Sequence, residues 1–224
     1  MSETLYMVDS GGYDDGYIYK TASLWEDARG ASTGTAVYTT GTTGTYAIRS
    51  QVSAGRGTVA SYIARAFFQF NVSAITTRPN SAKLMIYGRT FGNGRVNCVK
   101  ALDSMPTLST GDFTNIDGWS IVGTDGSGGG NNATNVTYYA NELGSWTTSG
   151  YNEFILNDTA LDDIAYTTTL AVCLLDRYDL RDIAHSPTGS NLNGVYFSEY
   201  SSTSRDPKIE YEPGTPSVFF GANF

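Results

Sequence analysis

The sequence predicts an all-β protein, a sandwich of two antiparallel sheets, and three observations carry this prediction. Apolar residues recur at every second position through most of the 224 residues, as expected for strands that bury one face. The segments between these runs are rich in turn-forming residues, for example GTTG, FGNG and SPTGSNLNG. Helical periodicity is almost absent. Short strands separated by glycine-rich turns are typical of β-sandwiches.

The strand pattern is clearest in residues 66–72, where one face is apolar and the other is mixed. The apolar face comprises Ala66, Phe68, Phe70 and Val72. Residues 208–212 alternate more strictly, with Ile209 and Tyr211 between charged residues. Residues 170–175 are apolar on both faces, which predicts a central strand that is covered on each side. Further strands are predicted at residues 82–87, 96–102, 151–156 and 195–198.

One short helix is predicted near residues 158–165. Asn157 or Asp158 can cap its N-terminus, and Leu161 and Ile164 share one face. No internal domain boundary is predicted, because the most linker-like segment, residues 124–132, is better suited to a surface loop. We therefore expect an N-terminal arm at residues 1–10, a single sandwich at residues 11–212 and an extended apolar tail at residues 213–224.

Composition and charge exclude several classes of function. The chain has 14 Lys and Arg against 22 Asp and Glu, a net charge of −8, and no basic cluster that would bind nucleic acid. No apolar stretch approaches the ~18 residues of a membrane span. The N-terminus lacks the basic and apolar regions of a signal peptide. Cys98 and Cys173 lie in apolar runs, which predicts buried, reduced thiols.

The motifs of known catalytic centres are missing, so no enzymatic activity is predicted. The only histidine, His185, lies in a polar segment and is expected to be a solvated loop residue. No nucleophile elbow, zinc-ligand spacing or phosphate-binding loop accompanies it. A pair of carboxylates could serve a glycosidase, but no motif selects such a pair. The chain is therefore expected to need no cofactor.

Calcium is the one metal for which the sequence offers candidate ligands. Asp14 and Asp15 lie in the segment GGYDDG, and Ca²⁺ takes six to eight oxygen ligands, often from such loops. The alternative is ordinary turn chemistry, because Asp beside Gly is common in turns.

The aromatic residues near polar, glycine- or serine-rich segments are the candidate binding residues. This set comprises Trp25, Trp119, Trp146, Tyr138 and Tyr139. Exposed aromatic rings stack on sugar rings, and they are equally favoured in protein–protein contacts. The interpretation that we favour is partial burial at the ends of the sandwich; use in a protein interface comes second and sugar binding third.

The C-terminal segment is apolar and uncharged. Pro213 and Pro216 favour an extended path, and four apolar residues follow, Val218, Phe219, Phe220 and Phe224. One interpretation is that the segment folds back onto its own sandwich. The interpretation that we favour is docking on a neighbouring subunit, along a sheet edge or in an apolar groove.

Several segments taken in order resemble a known family. They begin with DGYIY at residues 15–19, ARAFFQFNVSAI at 64–75 and SAKLMIY at 81–87. FILN at 154–157, residues 170–175, YFSE at 196–199 and RDPKIEY at 205–211 follow. The whole is similar to DNRLRE-type jelly-roll modules, relatives of carbohydrate-binding modules, over residues 6 to 212. The resemblance implies a jelly roll that binds surfaces or assembles, without catalysis. Asp206-Pro207 departs from the Arg-Pro of the family, as does the added tail.

The composition and the missing signal peptide also resemble virion proteins of tailed bacteriophages. We therefore expect a non-enzymatic virion protein, made in the host cytoplasm, that decorates or cements a capsid and assembles through its termini. Its expected partners are other virion proteins and further copies of itself, with no nucleic acid and no membrane. The alternative is a carbohydrate-binding module that recognises host glycans, for example at a tail fibre or tail tip.

Overall fold

The computed structural model describes residues 1–7, 15–39, 43–55, 58–102, 107–119, 135–200 and 203–215. Within these residues the chain forms eleven strands, three short α-helices and one 3-10 helix, Thr110–Thr114. The strands are β1 (Glu3–Tyr6), β2 (Gly16–Ala22), β3 (Ala36–Tyr38), β4 (Thr43–Gly55), β5 (Thr58–Asn71), β6 (Ser81–Gly92), β7 (Val96–Lys100), β8 (Tyr151–Ile155), β9 (Thr169–Asp176), β10 (Gly189–Tyr196) and β11 (Lys208–Glu212). The helices are α1 (Trp25–Arg29), α2 (Asp158–Tyr166) and α3 (Arg177–Arg181). The prediction of an all-β sandwich of the jelly-roll type is confirmed.

The strands form two layers, and every pair of neighbours is antiparallel. The smaller layer has the order β1-β11-β6-β8. In the larger layer β3 pairs with β2 and β2 with β5. The other edge of β5 pairs with β4 along its first half and with β9 along its second half. Strand β4 continues to β10, and β9 continues to β7.

The two layers of the sandwich are joined through β6. The first residues of β6 pair with β11 and β8, and its last residues pair with β10 in the larger layer. The register shifts where β6 meets Asn193 and Gly194, and Thr90 in this stretch has a positive φ of 57°. A side chain at Gly88 would place its Cβ 1.8 Å from the Thr147 carbonyl oxygen. Glycine and a local irregularity thus let one strand pass between layers.

The main core lies between the two layers. The apolar face predicted for residues 66–72 is confirmed, because all four of its residues are buried in this core. The smaller layer contributes Leu84, Phe154 and Ile209 from three different strands. This is the packing expected of a sandwich, in which alternate residues of each sheet interdigitate.

A second core lies on the opposite face of the larger layer, under α1, α3 and the 3-10 helix. It contains Ile18 and Phe67 from the strands, Leu180 from α3 and Phe113 from the 3-10 helix. Strand β9 therefore has a core on each face, and residues 170–175 are all buried, as predicted. The cysteines are free and buried, also as predicted.

The predicted helix is confirmed as α2, and its cap is Asn157. The Asn157 side chain accepts a hydrogen bond from the Ala160 N–H at 3.1 Å, and Leu161 and Ile164 are buried. Helices α1 and α3 were not predicted, because five residues are too few to establish a helical period. Among the described residues, none of the helices is long and apolar enough to cross a membrane.

The two ends of the described chain meet at the edge of the smaller layer. Glu3–Tyr6, within the predicted N-terminal arm, forms β1 and pairs with β11, so that Glu3 lies opposite Tyr211. After β11, the Pro213 carbonyl accepts a hydrogen bond from Asn80 Nδ2 at 2.9 Å. Residues 8–10 of the predicted arm and residues 216–224 of the predicted tail lie outside the described residues.

Candidate functional site

Part of the larger layer carries a group of aromatic side chains that reach solvent. We call this group the tyrosine face; it comprises Tyr17, Tyr19, Tyr38, Tyr46, Tyr62 and Phe91, with Arg49 among them. Tyr38 is 48% exposed, Tyr46 40% and Phe91 37%. Tyr17, Tyr19 and Tyr62 are half-buried. So many partly exposed rings on one surface are unusual for a region that serves packing alone.

Strand alternation and register bring these residues together. In β2, Tyr17 and Tyr19 lie on the face opposite to buried Ile18. The register places Tyr38 beside Tyr17, and it places Tyr19 and Arg49 on either side of Ala64. Directly paired residues point to the same face of a sheet. Strands β3, β2, β5 and β4 therefore contribute neighbouring side chains to one surface, and β6 adds Phe91 as a fifth strand.

The rings of the tyrosine face are stacked in two groups. Tyr17 and Tyr38 are parallel within 13°, with 4.8 Å between their centroids, and Tyr19 stacks on Tyr38 at 5.9 Å. Tyr46 and Phe91 form the second group, at 5.3 Å and 20°. Burial, and then the neighbouring Tyr38 and Tyr19, raise the pKa of Tyr17 to about 12, so its hydroxyl is protonated at physiological pH. Stacking holds the rings in fixed orientations.

Arg49 is the cation of the tyrosine face. Its Cζ lies 4.2 Å from the centroid of the Tyr62 ring and 5.2 Å from that of Tyr46. Its Nε donates to Gln51 Oε1 at 2.9 Å, and its Nη2 donates to the same oxygen. No carboxylate of the described residues forms an ion pair with it. Burial lowers the pKa of the guanidinium, which nevertheless stays charged at physiological pH.

This arrangement is suited to binding a flat, hydroxyl-rich molecule. The tyrosine rings offer apolar surfaces with polar tips. The Arg49 guanidinium holds more N–H groups than its two hydrogen bonds to Gln51 use, so it can donate to a ligand. Because Gln51 and the flanking rings hold the guanidinium in place, little side-chain freedom is lost on binding.

A second cluster of tyrosines surrounds Arg205. The Arg205 Cζ lies 4.6 Å from the ring centroid of Tyr196, 5.0 Å from that of Tyr200 and 5.3 Å from that of Tyr87. Its Nη1 donates to the Tyr196 hydroxyl at 2.6 Å. Tyr151 beside it donates to two loop carbonyls, those of Ser204 and Asp206. These contacts fix a loop on the smaller layer, which is a structural role.

Ser50, Asp176 and His185 form a group whose composition matches a catalytic triad but whose geometry does not. Ser50 Oγ donates to Asp176 Oδ1 at 2.5 Å, and His185 Nε2 lies 3.1 Å from the same Oγ. With Asp176 ionised, the single Ser50 proton is already used, so Nε2 is the donor of the second bond. Ser50 and Asp176 are fully buried. Ser50 is therefore neither accessible nor activated as a nucleophile.

The environment of this group shifts the pKa values of both ionisable members. Burial raises the pKa of Asp176 to about 6 against the hydrogen bonds from Ser50, Tyr178 and Asn191, which lower it. Burial also lowers the pKa of His185, whose ring stacks on Tyr178 at 4.4 Å. The expectation of a solvated loop histidine is therefore wrong, because His185 is half-buried between aromatic rings.

The aromatic residues selected from the sequence lie mainly in the cores. Trp25 and Trp146 are 5% and 6% exposed, and Tyr139 is 1% exposed. Their polar atoms bond within the protein, to Asp182, the Gly194 carbonyl and Asp163 respectively. Trp119 and Tyr138 are half-buried and pack against the second core. The alternative of burial therefore applies to Trp25, Trp146 and Tyr139, which have no free ring face for a ligand.

Of the two candidate calcium ligands, Asp14 and Asp15, the structure describes only Asp15. Asp15 is buried, and its carboxylate accepts hydrogen bonds from the Ser198 N–H at 2.8 Å and the Ser198 hydroxyl at 2.9 Å. Asp14 lies outside the described residues, as do Val218, Phe219, Phe220 and Phe224 of the tail. In the described part of the chain, no group of three His, Cys, Asp or Glu side chains is placed to hold a metal ion.

The tyrosine face was missed by the sequence reasoning, although one signal for it was present. The alternation Tyr17-Ile18-Tyr19 places two tyrosines opposite a core residue, which marks a strand with one aromatic face. The neighbours of these tyrosines come from strands separated along the chain, and only the register brings them together.

The chain was compared with family models and with curated proteins, and neither comparison gives a match. The resemblance to DNRLRE-type modules and to phage virion proteins thus stays a prediction that rests on the quoted segments.

Proposed function

We propose that the protein is a non-enzymatic binding module that recognises a carbohydrate through the tyrosine face. The observation that carries the proposal is the row across three strands in which Tyr19 and Arg49 flank Ala64, with stacked rings on both sides. Sugar rings present flat C–H faces to aromatic rings, and their hydroxyls accept hydrogen bonds from a guanidinium. Because the residues lie on a sheet rather than on loops, the site is rigid.

A glycan array tests this proposal directly. We expect specific hits for the wild-type protein. Replacing Arg49 by Gln removes charge-assisted hydrogen bonds of about 1.5–3 kcal/mol, so affinity should fall roughly tenfold or more. Tyr46→Ala removes one stacking ring, worth about 1 kcal/mol or roughly a fivefold loss. A flat array contradicts the proposal.

Tyr166→Ala is the matched control for Tyr46→Ala. Tyr166 is 79% exposed at the end of α2 and takes no part in the tyrosine face. Its removal should leave glycan affinity unchanged. If Tyr166→Ala weakens binding as much as Tyr46→Ala does, the binding is nonspecific and the tyrosine face is not the site.

A second candidate is the structural virion protein of a phage, a decoration or cement protein that assembles through its termini. The observation that favours it is the edge of the smaller layer, where β1 pairs with β11 and both described ends of the chain leave the sandwich together. Genes for a capsid or tail protein next to this one would support it. Cofractionation of the protein with phage particles is the direct measurement, and its absence from purified particles argues against this candidate.

A further inference from the structure

One edge of the Arg49 guanidinium is left unused by the described residues. The Nε–H and one N–H of Nη2 point to the same side of the group, and both donate to Gln51 Oε1. A guanidinium has five N–H groups, so one on Nη2 and two on Nη1 remain, and no described residue accepts a hydrogen bond from them. The edge between Nη1 and Nη2 is a fork that can bind both oxygens of one carboxylate.

The contacts of Arg49 direct a ligand to this edge. The guanidinium lies over the Tyr62 ring, with 4.2 Å between Cζ and the ring centroid, and 5.2 Å from the centroid of Tyr46. Rings at these distances pack against the flat faces of the group. Arg49 is half-buried, so part of it still reaches solvent. Because rings pack on the faces and Gln51 occupies one edge, we expect a ligand to approach in the plane of the guanidinium, at Nη1 and Nη2.

The strands of the tyrosine face bring no carboxylate to balance this charge. Strands β2, β3, β4, β5 and β6 contain neither Asp nor Glu, although the chain has 22 of these residues. Asp15, just before β2, is buried and accepts two hydrogen bonds from Ser198. Burial lowers the pKa of Arg49, and the groups that oppose this shift are tyrosine phenols. In the described part of the chain, a half-buried positive charge thus lacks the anion that would compensate its loss of water.

The tyrosine hydroxyls add further hydrogen-bond donors to the same surface. None of the five tyrosines of the tyrosine face has a hydrogen-bond partner for its hydroxyl among the described residues. In the smaller layer, by contrast, Tyr87 donates to the Ser149 carbonyl at 2.8 Å and Tyr211 to Glu3 Oε2 at 2.6 Å. A protonated phenol donates one hydrogen bond. The tyrosine face is therefore rich in donors, which favours a ligand that is rich in acceptors and negatively charged.

The other cations of these strands lie elsewhere, which limits how much negative charge the ligand carries. Lys20 lies on the face of β2 opposite to the tyrosines. Arg65 is fully buried, and Arg89 lies over the Tyr196 ring. Nucleic acids and heavily sulfated glycans require several clustered cations, and the net charge of −8 disfavours such polyanions. A single carboxylate on an otherwise neutral saccharide matches the single guanidinium.

We infer that the saccharide bound by the tyrosine face is acidic, and that the carboxylate of a uronic or sialic acid pairs with Nη1 and Nη2 of Arg49. The inference rests on the proposed function, carbohydrate binding at the tyrosine face, and it names the class of sugar. The sugar ring stacks on the neighbouring tyrosines, and its hydroxyls accept from the tyrosine hydroxyls. Because the charged pair is bidentate, an acidic sugar should bind at least tenfold more tightly than an uncharged sugar of the same shape.

Acidic and neutral glycans on one array give the first test. We expect the saccharides that bind the wild-type protein to carry a carboxylate. Hits among neutral glycans alone overturn the inference and leave the proposed function standing, whereas a flat array overturns both. Tighter binding of heparin fragments or of a thymidine oligonucleotide than of every carboxylated sugar also overturns the inference, because it would mean that the surface binds polyanions.

Matched ligands isolate the carboxylate without altering the protein. Lactose capped with glucuronic acid and lactose capped with sialic acid are each compared with the corresponding methyl ester by isothermal titration calorimetry. We expect one of the acids to bind at least tenfold more tightly than its ester, and the acid that does so distinguishes a uronic from a sialic ligand. Equal affinities of each acid and its ester, or no binding of either acid, overturn the inference.

Arg49→Gln shows whether the carboxylate binds at this guanidinium. The variant should bind acid and ester with similar affinities, because the charged pair is lost. Arg95→Gln is the matched control and should keep the preference for the acid. The Arg95 side chain is 54% exposed and pairs with Glu142, outside the tyrosine face, and its replacement changes the net charge by the same amount. A preference for the acid that survives Arg49→Gln, or that Arg95→Gln also removes, overturns the inference.

Discussion

The two faces of strand β5 are built in opposite ways. Toward the smaller layer it presents Ala66, Phe68 and Phe70, which lie in an apolar core. On its other face Arg65 is fully buried beside Phe67. Both faces belong to one strand of fourteen residues, so the contrast comes from what covers each face.

The elements that pack on each face of β5 explain why one face is apolar and the other holds a buried charge. A second sheet satisfies its own backbone hydrogen bonds and needs only apolar side chains beneath it. The opposite face is covered by short helices and irregular segments, whose terminal carbonyls need donors. Arg65 donates to the Phe113 carbonyl at 2.6 Å and Arg29 to that of Asp179, also at 2.6 Å. A layer of short helices therefore requires buried charge where a sheet does not.

Two carboxylates balance these charges: Asp179 lies near both guanidinium groups, and Asp182 lies 3.5 Å from Arg29 Nη1. Arg65 Nε and Nη2 bond to the two oxygens of Asp179 at 2.7 and 2.8 Å, a bidentate pair that is completely buried. Arg29 lies 3.9 Å from the same carboxylate. Trp119 packs against both guanidinium groups, at 4.1 and 5.0 Å. Asp179 thus links both buried guanidinium groups of the second core.

Removing Asp179 should have the largest effect on the face that the short helices cover. Asp179→Ala removes the carboxylate that pairs with the buried Arg65 and leaves Arg29 with Asp182 alone, so the free energy of unfolding should fall by about 3–5 kcal/mol. Urea unfolding followed by tryptophan fluorescence measures the loss. Asp162→Ala, which breaks the exposed pair with Arg78, is the control and should change stability little. Equal effects of the two variants would show that the buried pair is not needed.

Asp176, at the end of β9, should make the stability of the protein depend on pH. Its folded pKa of about 6 lies above the ordinary value of 3.8, so the folded state binds the proton more tightly. The stability that protonation contributes is complete below pH ~4 and is lost as the pH rises through about 6. Asp176→Asn has no carboxyl group to ionise and avoids this loss. The free energy of unfolding of the variant, relative to that of the wild type, should therefore be about 2 kcal/mol higher at pH 7.5 than at pH 4. Chemical denaturation of both proteins at pH 4 and at pH 7.5 measures this change. A difference in free energy of unfolding between variant and wild type that does not vary with pH contradicts the prediction.

The two cysteines report on local opening of the two cores, because one cysteine lies in each core, and the expected effect is the smallest of the three. Cys98 belongs to the sandwich core and Cys173 to the core under the helices. Burial raises the pKa of both thiols, so native labelling requires local opening. Short helices and loops open more readily than paired strands, so Cys173 should react roughly tenfold faster with N-ethylmaleimide. Peptide mass spectrometry resolves the two labelling rates. Faster labelling of Cys98 would contradict the prediction, because it would mean that the sandwich core opens more readily than the core under the helices.

The sequence could predict the parts of the fold that depend on local periodicity. Alternation in residues 66–72 and the apolar run at 170–175 identify strands and their buried faces without knowledge of neighbours. The cap at Asn157 and the apolar face of α2 likewise lie within ten residues of sequence.

The remaining features depend on contacts between distant residues. The Arg65–Asp179 pair joins positions 114 residues apart, and a charged residue in a strand is ordinarily expected to face solvent. The tyrosine face brings together residues of five strands, and no single strand encodes their register. The tryptophans chosen from the sequence have large rings, and large rings tend to be buried in a core of this size.

The pairing of β1 with β11 also sets an order of events in the cell. Strand β1 is synthesised first, and it cannot pair until β11, near residue 210, has been synthesised. At a synthesis rate of about 5–20 residues per second, the delay is roughly 10–40 s. The edge that β1 and β11 form together therefore does not exist on a nascent chain before β11 emerges from the ribosome. Neighbouring chains on one messenger therefore cannot capture each other through this surface while they are being made.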